Sequence, residues 1–268
     1  MPRGLDPGDE ARLQGRLWTP AAESGDLSGW FDASARESLS FATGISQMRS
    51  RHSSAVVLEQ GGGANQPAFA PAGINGRPAA DFVGANHLML QFTTANGLMA
   101  NAFTAVLAFN VRATSGGNTR ILTWLPTAGD DFNSASAIAL VTRNAANSIQ
   151  TFQNNAARAT TTAADGELQI FAVDSDGTTC RHFRNGVAGG SGAWGGISLG
   201  AGRWGVGCFS SAGSSTDYRG LWGEAVIVRR HSPALRQRVE GYLAWKWGLQ
   251  DRLAASHPHR NSPPLTGA

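Results

Sequence analysis

Few residues in this chain have both the type and the spacing for covalent chemistry. Glycoside hydrolysis uses two carboxylates flanking the scissile bond, about 5–9 Å apart. On one strand that arrangement reads as acidic residues at i, i+2 or i+4, and no Glu-x-Asp-x-Glu occurs. The run 221–229 holds only Glu224, and Glu167 stands at the start of another run. Glu224 therefore reads better as the structural partner of an arginine than as an acid catalyst. Nucleophilic catalysis finds no GxSxG, and neither Cys180 nor Cys208 lies at a helix start or in a basic setting that would lower a thiol pKa. The one lysine, Lys246, follows no glycine-rich loop, so it is not a P-loop lysine. Gly200-Ala-Gly-Arg-Trp-Gly205 satisfies GxGxxG, but a β-like run at 206–209 follows it where a dinucleotide site needs a helix. It reads as a turn. No catalytic set is expected, and the chain is expected not to be an enzyme.

Binding chemistry is sparser still. His257-Pro-His259 puts two imidazoles together without a third ligand at metal spacing. Asp174 and Asp176 are accounted for by the turn that follows them. Asp130-Asp131, with Asn133 beside them, form the one loop cluster that offers oxygens to a cation or ligand. No cofactor is expected, and no calcium constellation supports that ion. Among eight tryptophans, Trp30, Trp124, Trp204 and Trp222 sit in strand-like runs and belong to a core. Trp194 differs, standing in Gly-Gly-Ser-Gly-Ala-Trp-Gly-Gly with no obvious core partner. It is expected to pack on a neighbouring subunit or to stack on a sugar, with subunit packing ranked first.

The elements that position these residues are short. Glycine numbers 34 in 268 residues, nearly twice the usual ~7%. It is aperiodic and punctuates apolar runs. Those runs read as strands at 29–32, 38–41, 54–59, 79–83, 87–91, 104–112, 120–124, 137–142, 148–153, 167–174, 178–184, 204–209 and 221–229. Asp176-Gly177 and Asn185-Gly186 supply the positive φ of primed hairpin turns, giving an antiparallel meander. Ser232 followed by Pro233 opens a helix at 233–247, with Leu235, Val239 and Leu243 on one face and Gly248 as its C-terminal cap. Many short strands and one late helix imply an all-β, two-sheet antiparallel sandwich over 17–252. Residues 1–16 read as an arm or linker and 253–268 as an extended surface tail. Polar loops at 113–119, 126–136, 187–196 and 210–219 are the places for binding function.

Charge excludes partners more than it names them. Lys and Arg number 22 against 19 Asp and Glu, a net charge of +3 without a basic stripe, so nucleic acid is not expected. The 21 arginines against a single lysine read as genome composition, with interface use as the second reading. The amino-terminal residues lack the apolar stretch of a signal peptide, and the apolar window 98–111 is too short and too polar to span a bilayer. Cys180 and Cys208 read as buried free thiols unless their strands are neighbours.

Both ends of the chain carry a resemblance. The segments LWTP (17–20), GWFDAS (29–34) and QPAFAPAGINGRPAADFVG (66–84) are similar to the opening of LamG-like, concanavalin A-like jelly-roll domains of bacteriophage and bacterial proteins. The closing segment, GEAVIVRRHSPALRQRVEGYLAWKWGLQDRLAASHPHRNSPP (223–264), resembles that family's terminal strand, Ser-capped helix and His-Pro ending. The resemblance implies a jelly-roll sandwich and a structural or binding role. It implies a non-enzymatic virion protein, displayed as a capsid decoration, fibre or tail-associated module and assembled in the host cytoplasm. The expected partners are other virion proteins, further copies of the chain, and host surface polysaccharide. A stand-alone carbohydrate-binding lectin module is the alternative, and a glycoside hydrolase or lyase the third reading.

Overall fold

A computed structural model describes residues 17–83, 90–91, 97–98, 100–112, 119–125, 138–144, 147–195, 201–207 and 218–266. The first strands are β1 (Leu27–Asp32), β2 (Leu39–Phe41), β3 (Ile45–Ser50), β4 (Ser53–Glu59), β5 (Ala68–Ile74) and β6 (Arg77–Phe82). Next come β7 (Leu90–Gln91), β8 (Gly97–Leu98), β9 (Ala102–Phe109), β10 (Thr119–Leu125), β11 (Ile138–Asn144) and β12 (Ser148–Gln153). Then follow β13 (Ala156–Thr162), β14 (Gln169–Asp176), β15 (Thr179–Arg184), β16 (Val187–Ala193), β17 (Ala201–Val206), β18 (Gly220–Val228) and helix α1 (Pro233–Lys246). The strands form two antiparallel sheets. One runs β16-β15-β14-β9-β18-β6-β5 with β1 on β18, and the other runs β13-β12-β11-β10-β17-β7-β4-β3-β2 with β8 on β17. The fold is the expected all-β jelly-roll sandwich with one short C-terminal helix.

Helix α1 turns the sandwich locally into three layers, and this explains why β9, β14 and β18 are apolar without alternation. From β9, Phe103, Ala105, Leu107 and Phe109 face the core between the sheets, while Val106 and Ala108 face the helix. From β14, Phe171 and Val173 point inward, and Ile170 and Ala172 meet the helix layer. Leu235, Val239, Leu243 and Trp247 complete that layer; each buried aliphatic side chain contributes about 1.5–3 kcal/mol. The helix ends follow the sequence. Ser232 accepts from the Leu235 N–H at 3.3 Å, Gly248 takes φ +66°, and the Leu249 N–H returns to Ala244 O at 2.7 Å.

The structure departs from the expected elements in several places. Strands β3, β5, β13 and β16 were not legible as apolar runs. The chain at 187–193, expected to be part of a projecting loop, is strand β16. Its glycines let the two sheets touch, since a Cβ on Gly192 would sit 2.0 Å from Arg158 O and one on Gly190 2.1 Å from Thr160 O. The GxGxxG residues 201–205 belong to strand β17. The C-terminal segment is docked rather than laid extended on the surface. Trp18 N–H donates to Pro264 O at 3.0 Å, Trp245 Nε1–H donates to His259 O at 2.8 Å, and buried His257 meets Glu240. Cys180 is a buried free thiol, raised to about 12 chiefly by burial, and Cys208 lies outside the described residues.

Candidate functional site

The sequence-flagged carboxylate, Glu224, sits in a densely bonded polar cluster. β1 and β18 pair so that Asp32 lies opposite Glu224. A register shift between Trp222 and Glu224 in β18 re-aims the strand: Trp222 faces the core between the sheets, and Glu224 faces the helix layer. Lys246, in the last turn of α1, reaches Asp32 Oδ2 at 2.5 Å and Glu224 Oε2 at 2.6 Å. Glu224 also accepts from Trp30 Nε1–H (2.5 Å), Trp247 Nε1–H (3.1 Å) and the Tyr242 hydroxyl (3.1 Å). Asp32 Oδ1 accepts from the Ser34 N–H and hydroxyl at 2.9 and 2.6 Å, and Arg51 Nη1 donates to Oδ2 at 2.9 Å. Burial lifts the Glu224 carboxyl above its ordinary range, and the charge of Asp32 adds to this. Burial pushes Asp32 upward too, but Lys246 and the Ser34 bonds outweigh it and hold that carboxyl below its ordinary range. Glu224 thus pairs with the lone lysine rather than with an arginine. Both carboxylates are 0% exposed, so this pair offers no entry to a sugar.

An open site lies elsewhere, where the end of β2 meets the loop before β5. There Gly44 N–H donates to Gln66 Oε1 at 2.8 Å, Ile45 N–H to Pro67 O at 2.8 Å, and Gln66 Nε2–H to Gln60 O at 2.9 Å. These bonds stitch two loops into one rim. Gly44 is needed for the approach, because a Cβ there would stand 2.4 Å from Pro67 O. The rim encloses a groove of about 210 Å³ lined by Thr43, Gly44, Gly63, Ala64, Gln66, Ala68 and Val83. It is smaller than the ~300–1,000 Å³ of drug-sized pockets, a size for a small ring. Phe41 and Phe69 stand next to it along the chain, edge to face with centroids 5.4 Å apart. The Arg36 guanidinium stacks 4.0 Å above the Phe41 ring and 4.9 Å from Phe69. Phe41 at 38% and Val83 at 45% exposed are two of the three large apolar side chains open to solvent among the described residues. The groove thus sets fixed backbone, Thr43 and Gln66 beside small apolar residues, with an exposed aromatic edge next to it along the chain.

The residues singled out from sequence do not assemble here. Trp194 is 6% exposed and packs edge-on against Phe103 at 5.5 Å, with its backbone N–H on Thr178 O. It is a core residue, which removes it as a sugar platform or subunit anchor. Asp130, Asp131 and Asn133 lie outside the described residues. Asp176 forms the turn as expected, its Oδ1 accepting from Thr178 N–H, Thr178 Oγ1–H and Thr179 N–H. Buried Asp174 is held by Thr104 and His231. The groove was missed because no pattern in 41–69 marks it; Phe41 and Phe69 meet only through the fold. No group of three metal-ligating side chains occurs among the described residues, nor a helix long and apolar enough to cross a membrane.

No family model and no curated protein matches this chain. Solved structures do share its fold. Trypanosoma rangeli sialidase in complex with sialic acid superposes with TM-score 0.55 at 15% identity, over 79% of this chain and 32% of that one. A mutant of that sialidase displaying trans-sialidase activity gives 0.52 at 15% identity, over 90% of this chain and 37% of its own. The binding domain of Paraclostridial Mosquitocidal Protein 1 gives 0.50 at 9% identity, over 81% and 52% respectively. This chain spans about a third of the sialidase chains it matches. With sialidases as the structural neighbours, the expectation of a structural protein of a bacteriophage virion is overturned, and what the likeness establishes is the sandwich fold.

Proposed function

We propose that this chain is a non-enzymatic, glycan-binding β-sandwich module. One observation carries the reading: the groove at Thr43, Gly44 and Ala68, with Phe41 and Phe69 next to it along the chain, is open, while the carboxylate pair Asp32/Glu224 is fully enclosed and tied to Lys246. An open groove of mixed polarity beside an aromatic edge suits ring stacking. A hydrolase would need its acid and base on that open surface. The likeness to a sialidase solved in complex with sialic acid supports the class of ligand, as does the resemblance of both termini to LamG-like domains.

The test is a glycan array with the intact chain, repeated with Phe41→Ala. Phe41 is partly exposed, so its truncation leaves the core intact. Reproducible binding to a glycan class is expected, weakened about tenfold in the variant, equivalent to about 1.4 kcal/mol. Thermal unfolding should stay cooperative and fall only by what the contacts to Phe69 and Arg36 contribute, about 0.5–1.5 kcal/mol. Binding to no glycan, or binding indifferent to Phe41→Ala, refutes the assignment.

A further inference from the structure

The enclosed cluster around Lys246 has a composition that simple ion pairing does not explain. The chain uses arginine at 21 of its 22 Lys/Arg positions and keeps its one lysine where two fully buried carboxylates meet. If a cation were all that was needed, arginine would supply it with more hydrogen bonds. What lysine adds is an amine that can lose its proton and act as a nucleophile. The second carboxylate charge is met by Arg51, 2.9 Å from Asp32 Oδ2, so the charges balance whichever cation stands at position 246.

We infer that Lys246 Nζ condenses with the side-chain carboxyl of Asp32 into an intramolecular amide, with Glu224 carrying the proton. Nζ lies 2.5 Å from Asp32 Oδ2. One C–O bond further on, the carboxyl carbon is therefore within about 3.7 Å, close to attack distance. In the first step an ammonium proton passes to Oδ2 within the ion pair, leaving an amine and a neutral carboxyl. Nζ then attacks the carbon. The negative charge developing on Oδ1 falls on the Ser34 N–H and hydroxyl, already placed at 2.9 and 2.6 Å as an oxyanion hole. Glu224, 2.6 Å from Nζ, takes a second proton from the nitrogen and returns one to Oδ2. Arg51 holds that departing oxygen at 2.9 Å. The C–Oδ2 bond breaks, water leaves with two of the three ammonium protons, and Glu224 ends as it began. No electrons are exchanged with another reactant. Trp30, Trp247 and Tyr242 fix the Glu224 carboxyl and keep water from competing. Asp32 rather than Glu224 is the acceptor, because Arg51 meets its departing oxygen with a second cation, whereas Glu224 Oε2 has only the neutral Trp247 Nε1–H beside Lys246. The link would join β1 to α1 and close the chain between residues 32 and 246.

The experiment is the intact mass of the purified full-length chain under denaturing conditions, followed by fragmentation of its peptides. The chain is expected one water lighter than its sequence, with residues 32 and 246 in one branched peptide. Lys246→Arg and Glu224→Gln should each have the full mass of their own sequences, with a wild-type circular dichroism spectrum showing that each variant still folds. A wild-type chain at full sequence mass overturns the inference. A branch at Glu224 instead of Asp32 overturns the assignment of the acceptor, and a link that persists in Glu224→Gln overturns the role of Glu224.

Discussion

Trp194→Ala separates a buried tryptophan from an exposed one most directly. The indole is 6% exposed and meets Phe103 edge-on at 5.5 Å, within the cluster between the two sheets. Truncating a buried tryptophan removes transfer energy and leaves a cavity, together about 3–5 kcal/mol. The backbone bond to Thr178 O survives, so the loss is side-chain packing alone. The indole N–H has no partner among the described residues, so Trp194→Phe deletes no hydrogen bond among them. It trades lost ring area against relief of an unpaired donor, itself about 1–3 kcal/mol. The expected order is a large loss for Ala and a much smaller change for Phe. Urea denaturation followed by fluorescence or circular dichroism reads both, with an unchanged slope confirming that compactness is kept. An exposed loop tryptophan would cost within about 0.5 kcal/mol in either variant. A Trp194→Ala penalty below about 1 kcal/mol refutes the placement of this residue in the core.

Two further outcomes follow from the packing. Burial pushes His182 down to about 3, against ~6.5 unfolded. Thr151 Oγ1–H donates to Leu140 O at 2.6 Å, so its oxygen accepts from His182 Nε2–H at 2.7 Å, and the Thr161 hydroxyl then serves Nδ1 at 3.1 Å. Only the neutral ring satisfies this set. Below pH 6.5 the unfolded chain takes up the proton and the folded one does not. The contribution is therefore full above that pH and is lost as pH falls toward 3: about 2 kcal/mol between pH 7 and 5, a slope that urea titrations should find missing in His182→Gln. Gly192→Ala, whose Cβ would stand 2.0 Å from Arg158 O, should cost about 1–3 kcal/mol or more by forcing β16 from β13. The same change at Gly61, with open space around it, should leave the melting temperature nearly unmoved.

How much could be read in advance depended on how local the information was. Helix α1 was legible to within a residue because its cap, proline, apolar face and terminal glycine lie in one stretch. The buried strands β9, β14 and β18 were legible as apolar runs. Strand β16 was not, because its glycines answer to the backbone of β13, a neighbour no local window contains. Strand β13, rich in Ala and Thr, announces itself only by its partners. The candidate groove depends on Phe41 and Phe69 meeting across two strands that do not pair with each other.

By itself the sequence determined the class of fold and the kinds of chemistry within reach: short apolar runs broken by turn residues, one capped helix, and no motif with catalytic spacing. Tertiary structure alone decided which residues meet. It brought Lys246 to Asp32 across 214 positions and Trp30 to Glu224 across 194. It moved Trp194 from an expected loop into the core, and it left Phe41 at the surface. The physical reason is that propensity and periodicity act over a turn or a strand. Which side chains share a site is set instead by register and bulges such as the one before Glu224, where a single extra residue sends a carboxylate to the opposite face of the sheet.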